Sequence, residues 1–164
     1  MTSFTRIISL DCGRQCSGVV VMDFLESKIV FMEFVNGSLL EYIQNDSFLK
    51  WIVKNKTLVI YENLYMPKLK RAYANWNVMR MQKAIRKYFL NLDCGVKVKA
   101  VPPSQKVSLV PGEFSKDRKK RSIESARRFL QDKGGREWKD AFEGLHRKHD
   151  VADALLAALY QVRK

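Results

Sequence analysis

The sequence predicts an α/β fold, a mixed five-stranded sheet flanked by helices. Three observations predict it. The patterned segments follow the order three strands, helix, strand, helix, strand, helices. The first three strands are joined by tight turns, the mark of an antiparallel meander. The later strands alternate with helices, which calls for right-handed crossovers and parallel pairing. At 164 residues the chain suits one domain, and residues 1–164 are read as a single unit.

Each element has its own signal. Residues 4–10 (Phe-Thr-Arg-Ile-Ile-Ser-Leu) read as a strand ending at Asp11, and Gly13 and Gly18 punctuate the turn that follows. Residues 18–24 are rich in Val and read as the second strand, and residues 29–35 read as the third. Ser38 and Glu41 have the spacing of a capping box, which starts a helix running towards Val53 with an interruption near Asn45-Asp46-Ser47. Thr57-Leu58-Val59-Ile60-Tyr61-Glu62 is a short apolar run with an acid at its end, the pattern of a buried central strand. Pro67 opens a long helix to about Leu92. Its apolar positions Val78, Met81, Ile85, Tyr88 and Leu92 recur at three and four, and Asp93-Cys94-Gly95 stops it. Residues 96–101 alternate Val and Lys, as at a sheet edge. A loop from Pro102-Pro103 through Pro111-Gly112 leads to a basic helix over 116–131, ended by Gly134-Gly135. A short amphipathic piece over 136–142 precedes the terminal helix.

Composition narrows the function. Hydrophobic residues make up 46% and charged residues 29%, with no apolar run long enough for a membrane span and no signal-peptide pattern. The odd count of three cysteines (Cys12, Cys16, Cys94) gives no disulfide framework, which suggests a reducing compartment. Cys12 and Cys16 alone are too few for structural zinc. Net charge is +13 and unevenly spread. Residues 66–92 carry seven Lys/Arg and no acid, and residues 97–139 carry thirteen Lys/Arg against five acids. The remainder is close to neutral and holds the acids of interest. A basic surface around a small acidic centre suits a polyanion held by its phosphates and attacked at a metal.

The acids stand out by position. Asp11 and Glu62 sit at predicted strand ends. Asp150 and Asp153, three apart on one face, start a terminal helix whose stripe of Val151, Ala152, Leu155, Leu156, Leu159 and Val162 marks a core helix. Carboxylates beside such a stripe need partners, because leaving water is costly and like charges repel. If the first and fourth strands are neighbours, Asp11 and Glu62 meet, and the terminal helix completes a cluster of four. Such a donor set suits Mg²⁺, with Mn²⁺ as a substitute, and two such ions can drive in-line hydrolysis of a phosphodiester. Taken singly, Asp11 also fits a turn former and Asp150 a helix cap.

Phosphate contacts are expected from Lys116, Arg118, Lys119, Lys120, Arg121, Arg127 and Arg128. Lys106, after the fifth strand, could approach a scissile phosphate or be a solvated loop lysine. His146 and His149 flank the acids and read as packing or capping groups rather than catalysts. The helix over 68–92, with Tyr73, Trp76, Met79 and Met81, carries more apolar surface than one core face needs and is the expected dimer element.

Asp11-Cys12-Gly13-Arg14-Gln15-Cys16-Ser17-Gly18 resembles the Asp-x-Gly-x-x-x-Thr/Ser-Gly opening of RuvC-like Holliday junction resolvases. Val59-Ile60-Tyr61-Glu62 resembles their second acidic strand, Pro102-Pro103-Ser104-Gln105-Lys106 the segment after their fifth strand, and His149-Asp150-Val151-Ala152-Asp153-Ala154-Leu155 their closing Asp-x-x-Asp-Ala helix. The motifs fall in order across essentially the whole chain, and its compact size is similar to that of the poxvirus members. The resemblance implies a ribonuclease H-like fold and a homodimer making paired, symmetric, Mg²⁺-dependent nicks in four-way DNA. Asp11, Glu62, Asp150 and Asp153 become the implied metal ligands. In poxviruses it further implies resolution of concatemeric genomes in the host cytoplasm. Two other readings fit the same residues. One is a ribonuclease H-like nuclease acting on RNA–DNA hybrid or other branched DNA, and the other is a non-catalytic basic nucleic-acid-binding module.

Overall fold

In the computed structural model, which describes residues 3–54, 56–63, 72–92, 95–110 and 117–164 (backbone only at 72–75), alternation along each strand sorts the side chains into two layers. Strand β1 (Arg6–Asp11) sends Ile7 to one face of the sheet and Ile8 and Leu10 to the other, and all three are buried. A strand apolar on both faces belongs in the middle of a sheet. The observed order is β3-β2-β1-β4-β5, with β2 (Cys16–Asp23), β3 (Ile29–Asn36), β4 (Thr57–Glu62) and β5 (Lys97–Val101). β1 pairs antiparallel with β2 and parallel with β4. β2–β3 is antiparallel and β4–β5 parallel. The expected mixed sheet is therefore present, and β5 is the edge strand that its alternating lysines suggested. Lys97 and Lys99 are exposed there, which discourages pairing with another chain.

One layer is formed by α1 (Leu39–Gln44), a 3₁₀ turn over Asp46–Trp51, and α2 (Ala72–Asn91). Ser38 caps α1 by accepting the Glu41 N–H (3.2 Å), and Asn45 caps the 3₁₀ turn by accepting the Ser47 N–H (3.1 Å). The interruption expected near Asn45 is thus a change of helix type with its own cap. On α2 the buried side chains are Val78, Gln82, Ile85 and Phe89. That stripe is rotated from the expected one, since Met81, Tyr88 and Leu92 only pack at its margin. Pro67 with Lys68, Lys70 and Arg71, the side chain of Tyr73, Asp93 and Cys94, and Pro111-Gly112 with Lys116 lie outside the described residues.

The other layer holds α3 (Arg118–Phe129), a π-helical turn over Leu130–Gly134, α4 (Arg136–Glu143) and α5 (His149–Arg163). Asp117 starts α3 by accepting the Lys120 N–H (3.1 Å). α5 is buried along most of its length, through Val151, Ala152, Leu155, Leu156, Ala158 and Leu159, against Ile7, Val20, Met22, Leu58 and Ile60. Each fully buried Leu here contributes on the order of 1.5–3 kcal/mol. Among the described residues no helix is long and apolar enough to cross a membrane.

The closest approach in this layer is backbone to backbone. A Cβ added at Gly18 on β2 would stand 2.3 Å from the carbonyl oxygen of Asp150 and 2.6 Å from the nitrogen of Val151. Neither can yield as a flexible side chain would. Gly18→Ala is therefore expected to push the start of α5 off the sheet and cost about 1–3 kcal/mol, as over-packing does. At Gly144 the added methyl group meets only ordinary contacts of 3.6 Å, so Gly144→Ala should change stability by less than about 1 kcal/mol. Urea unfolding of the two variants beside the parent chain checks the contrast.

Candidate active site

Asp11 and Glu62 come together because of strand register. β1 and β4 run parallel with Leu10 beside Tyr61, so the next residue on each strand, Asp11 and Glu62, is an acid at the same sheet end. By alternation with Ile7 and Ile60 both acids face α5. Opposite them α5 presents Asp153. One narrow cleft is lined by Ser9, Asp11, Glu62, Lys106 and Asp153, with Ala154 and Ala157 as its floor. Its free volume is about 10 Å³, on the order of a single water. A small molecule could not be engulfed there, whereas one phosphate of a polymer could be presented at the rim.

Lys106 is the cation of this cleft. Its Nζ is 2.6 Å from Glu62 Oε2 and 3.6 Å from Asp153 Oδ1. Burial works against its ammonium, but Asp153 and Glu62 outweigh burial and hold its pKa above the ordinary lysine value. The loop carrying it is pinned to α5: the Val107 N–H donates to the Leu156 carbonyl (3.2 Å), and the Gln161 side-chain amide donates to Gln105 Oε1 (2.8 Å). Of the two readings open for Lys106, the structure places it among the acids, not in solvent.

Asp11 lies between the other charges. Burial raises its pKa well above the usual carboxylate range, and the charges of Asp153, Asp150 and Glu62 act in the same direction, with Lys106 opposing them. Asp150, 7% exposed, sits behind this group rather than in the cleft lining. Its Oδ1 is 3.0 Å from His149 Nε2. Its Oδ2 is 3.7 Å from both Arg147 Nε and the Cys16 Sγ, which donates to it. Lys148, not Asp150, holds the N-cap position, and its side chain makes no capping bond there. His149 thus faces Asp150, as a packing group would, and His146 is exposed.

The donors are all carboxylate oxygens, the chemistry that a hard divalent cation selects, and their mutual repulsion is what such an ion removes. In that sense the residues fit Mg²⁺ or Mn²⁺. As placed, they are spread around Lys106, and among the described residues no three His, Cys, Asp or Glu side chains close on one point. The thiols are not soft alternatives. Burial pushes Cys12 up to about 12 and raises Cys16 as well, with the neighbouring aspartates adding to both. Both stay protonated at neutral pH.

Several residues that position the site carried little signal in sequence. Gln82, a polar residue on the apolar stripe of α2, donates to the main-chain carbonyl of Glu62 (2.9 Å) and so fixes the end of β4. Ser122 of α3 donates to Asp153 Oδ1 (2.6 Å). Gly18 admits α5. The expected phosphate cluster divides. Arg118, Lys119 and Lys120 are exposed and Arg121 is half-buried. Arg127 instead pairs with Glu143 through two bonds, 2.6 and 3.1 Å, which raises the Arg127 pKa and lowers that of Glu143. Arg128 donates to the Leu109 carbonyl (3.2 Å).

No family model and no curated protein matches the sequence. Solved structures do match the fold. The fowlpox virus resolvase in complex with Holliday junction DNA superposes with a TM-score of 0.68 at 17% identity, over 96% of this chain and 97% of that one. Thermus thermophilus RuvC with a Holliday junction substrate gives 0.55 at 17%, over 94% and 91%. The yeast mitochondrial Holliday junction resolvase Ydc2 gives 0.57 at 13%, over 99% and 82%. The fold is thus the RuvC-like, ribonuclease H-like one that the sequence motifs implied.

The crowded charge at Asp11 carries a cost that pH should reveal. An acid whose folded pKa is raised destabilises the fold once it ionises, so the penalty grows as pH rises from the unfolded value, ~3.9, through the folded one. In metal-free buffer at neutral pH, Asp11→Asn should melt roughly 2–4 °C higher than the parent chain, the shift expected for ~1 kcal/mol at this length. Its advantage should vanish below about pH 4. Thermal melts across that range check both sign and window.

Proposed function

We propose that this chain is a structure-selective endonuclease that resolves four-way DNA junctions by paired, symmetric nicks. The observation that carries the reading is the convergence of Asp11, Glu62 and Asp153 on one cleft, with Asp150 behind, at the end of the central parallel strands. The full-length match in fold to proteins solved as resolvases and with junction DNA supports the substrate class.

In this reading Asp11, Glu62, Asp150 and Asp153 would hold Mg²⁺, or Mn²⁺ in its place. Bound there, two ions supply an activated water for in-line attack on phosphorus and neutralise the departing sugar oxygen. The chain's own groups do the rest. Asp11, on β1 and under the charges of Asp153, Asp150 and Glu62, would be the central ligand of the set. Lys106 keeps a positive charge at the cleft mouth, where an incoming phosphate meets it. Gln82 and Gly18 fix the two backbones that carry the acids. Arg118, Lys119, Lys120 and Arg121, at the start of α3, grip neighbouring phosphates without reading sequence.

Symmetric nicking needs two active sites, which a twofold homodimer supplies. α2 is the proposed contact, because Trp76 (46%) and Leu90 (52%) remain exposed on it. By its likeness to the fowlpox virus resolvase, the chain would separate concatemeric viral genomes in the host cytoplasm.

The test is an end-labelled four-way junction incubated with Mg²⁺ beside duplex and RNA–DNA hybrid. Paired ligatable nicks in the junction alone are expected. Cutting of the hybrid instead would keep the acids but move the substrate to RNA, and binding without cutting would leave a basic binding module. Asp153→Asn should lower cleavage by at least ~10³-fold while junction affinity holds, since the charge acts on the ions and not on the phosphate grip.

Affinity should also fall steeply with salt. Lys119→Ala is expected to reduce the slope of log K against log salt by about 1, the loss of one phosphate contact. Arg127→Ala, whose guanidinium is held by Glu143, should leave that slope unchanged. Binding isotherms between ~50 and ~200 mM salt check both.

A further inference from the structure

We propose that Ser122 is a positioning residue that sets the orientation of Asp153 and so couples the phosphate-gripping helix to the metal site. The inference rests on the nuclease reading above. Its ground is a hydrogen bond between residues 31 positions apart: the Ser122 hydroxyl donates to Asp153 Oδ1 at 2.6 Å. That length is typical of a hydroxyl on a charged carboxylate, the stronger class of hydrogen bond.

The usual partner of a serine within a helix is the carbonyl four residues back. Ser122 instead turns away from its own helix to an acid on α5. Lys106 approaches the same oxygen, Oδ1, at 3.6 Å. The Ser122 hydrogen bond and the Lys106 ion pair thus both fall on one oxygen of Asp153.

Ser122 can do this because α3 is held firmly. Ser125, on the same face one turn later, accepts the Leu109 N–H (3.1 Å), and Arg128 donates to the Leu109 carbonyl (3.2 Å). Ala126 and Phe129 bury the remainder of that face. The loop from Lys106 to Leu109 is thereby tied to α3 as well as to α5. Arg118 lies one turn before Ser122 on the same side of α3, and Lys119 and Lys120 precede it in the exposed first turn. A phosphate load on that turn therefore reaches Asp153 through one rigid helix and one hydroxyl.

Carboxylates that ligate metals depend on such outer partners, and their loss commonly weakens metal binding or activity 10- to 100-fold (order of magnitude). The experiment compares the full chain with Ser122→Ala and Ser122→Thr in three measurements: metal-free melting, Mn²⁺ affinity by electron paramagnetic resonance titration, and cleavage of a saturating four-way junction. Ser122→Ala should bind Mn²⁺ about tenfold more weakly and cut more slowly at saturation by a similar factor. Junction affinity should hold, and Ser122→Thr should recover both properties. Wild-type Mn²⁺ affinity in Ser122→Ala, or a Thr variant no better than Ala, would overturn the proposal. So would a loss in Ser122→Ala of junction affinity together with cooperative melting, which marks a hydroxyl that holds the fold. A parent chain that binds Mn²⁺ but cuts no junction would defeat the nuclease reading alone, since the Mn²⁺ comparison still decides for or against Ser122.

Discussion

The site depends on how closely one helix can approach one strand. α5 begins where its backbone rests on β2 at Gly18, and no other residue leaves room for the carbonyl of Asp150. Gly18 pairs across the sheet with Asp11. The glycine that admits α5 is therefore the antiparallel neighbour of the acid at the centre of the site. Moved outward by the width of a methyl group, α5 would keep its apolar stripe but lift Asp153 away from Asp11 and Glu62. The packing of Leu155 and Leu159 further along supplies the attraction, and Gly18 sets the distance at which it stops.

That distance is electrostatically unfavourable. Four acids brought to one sheet end repel, and burial adds to the cost at Asp11. The fold meets this with a distinct partner for most of them. Asp150 has His149, Arg147 and Cys16, Asp153 has Ser122 and Lys106, and Glu62 has Lys106. Lys106 is thus the chain's own cation around which the cleft is arranged. A single +1 charge on a flexible stem only partly offsets carboxylates that two divalent ions could neutralise. The group stays strained in charge although well ordered in geometry, and the tendency of charged active sites to hold perturbed groups is an expression of the same conflict.

Much of this was legible before any coordinates, and the limits have a physical origin. Strands β1 and β4 announce themselves by apolar runs ending in an acid, and α5 by an apolar stripe, because each is a local pattern tied to burial. The rotation of α2 was not legible. Val78 and Ile85 of the expected stripe are buried, but the rest of the buried face is Gln82 and Phe89 rather than Met81, Tyr88 and Leu92, and the bond from Gln82 to the Glu62 carbonyl holds it inward. Ser122 lay hidden for a related reason: within Arg-Lys-Lys-Arg-Ser its neighbours signal solvent and phosphate, and its partner is 31 positions away. The division of the arginines on α3 was equally tertiary. Arg127 is committed chiefly by Glu143 on α4, with Glu124 one turn earlier on α3 adding to it.

The two-layer packing also explains how a fold can persist at 13–17% identity. The sheet asks only for apolar side chains of suitable size in alternation, which many sequences meet. The site asks for specific groups at few positions: an acid at the end of each of two adjacent parallel strands, a glycine where α5 lands, and two acids three apart on that helix. That contrast also explains why fold similarity leaves function to be argued from the site. A cleft with room for about one water, lined by carboxylates and Lys106, favours a substrate that stays outside and offers one phosphate. Nucleic acid is the polymer that does so at regular intervals, and in the proposed reading a helix gripping one phosphate while orienting Asp153 would make grip and chemistry parts of one rigid body.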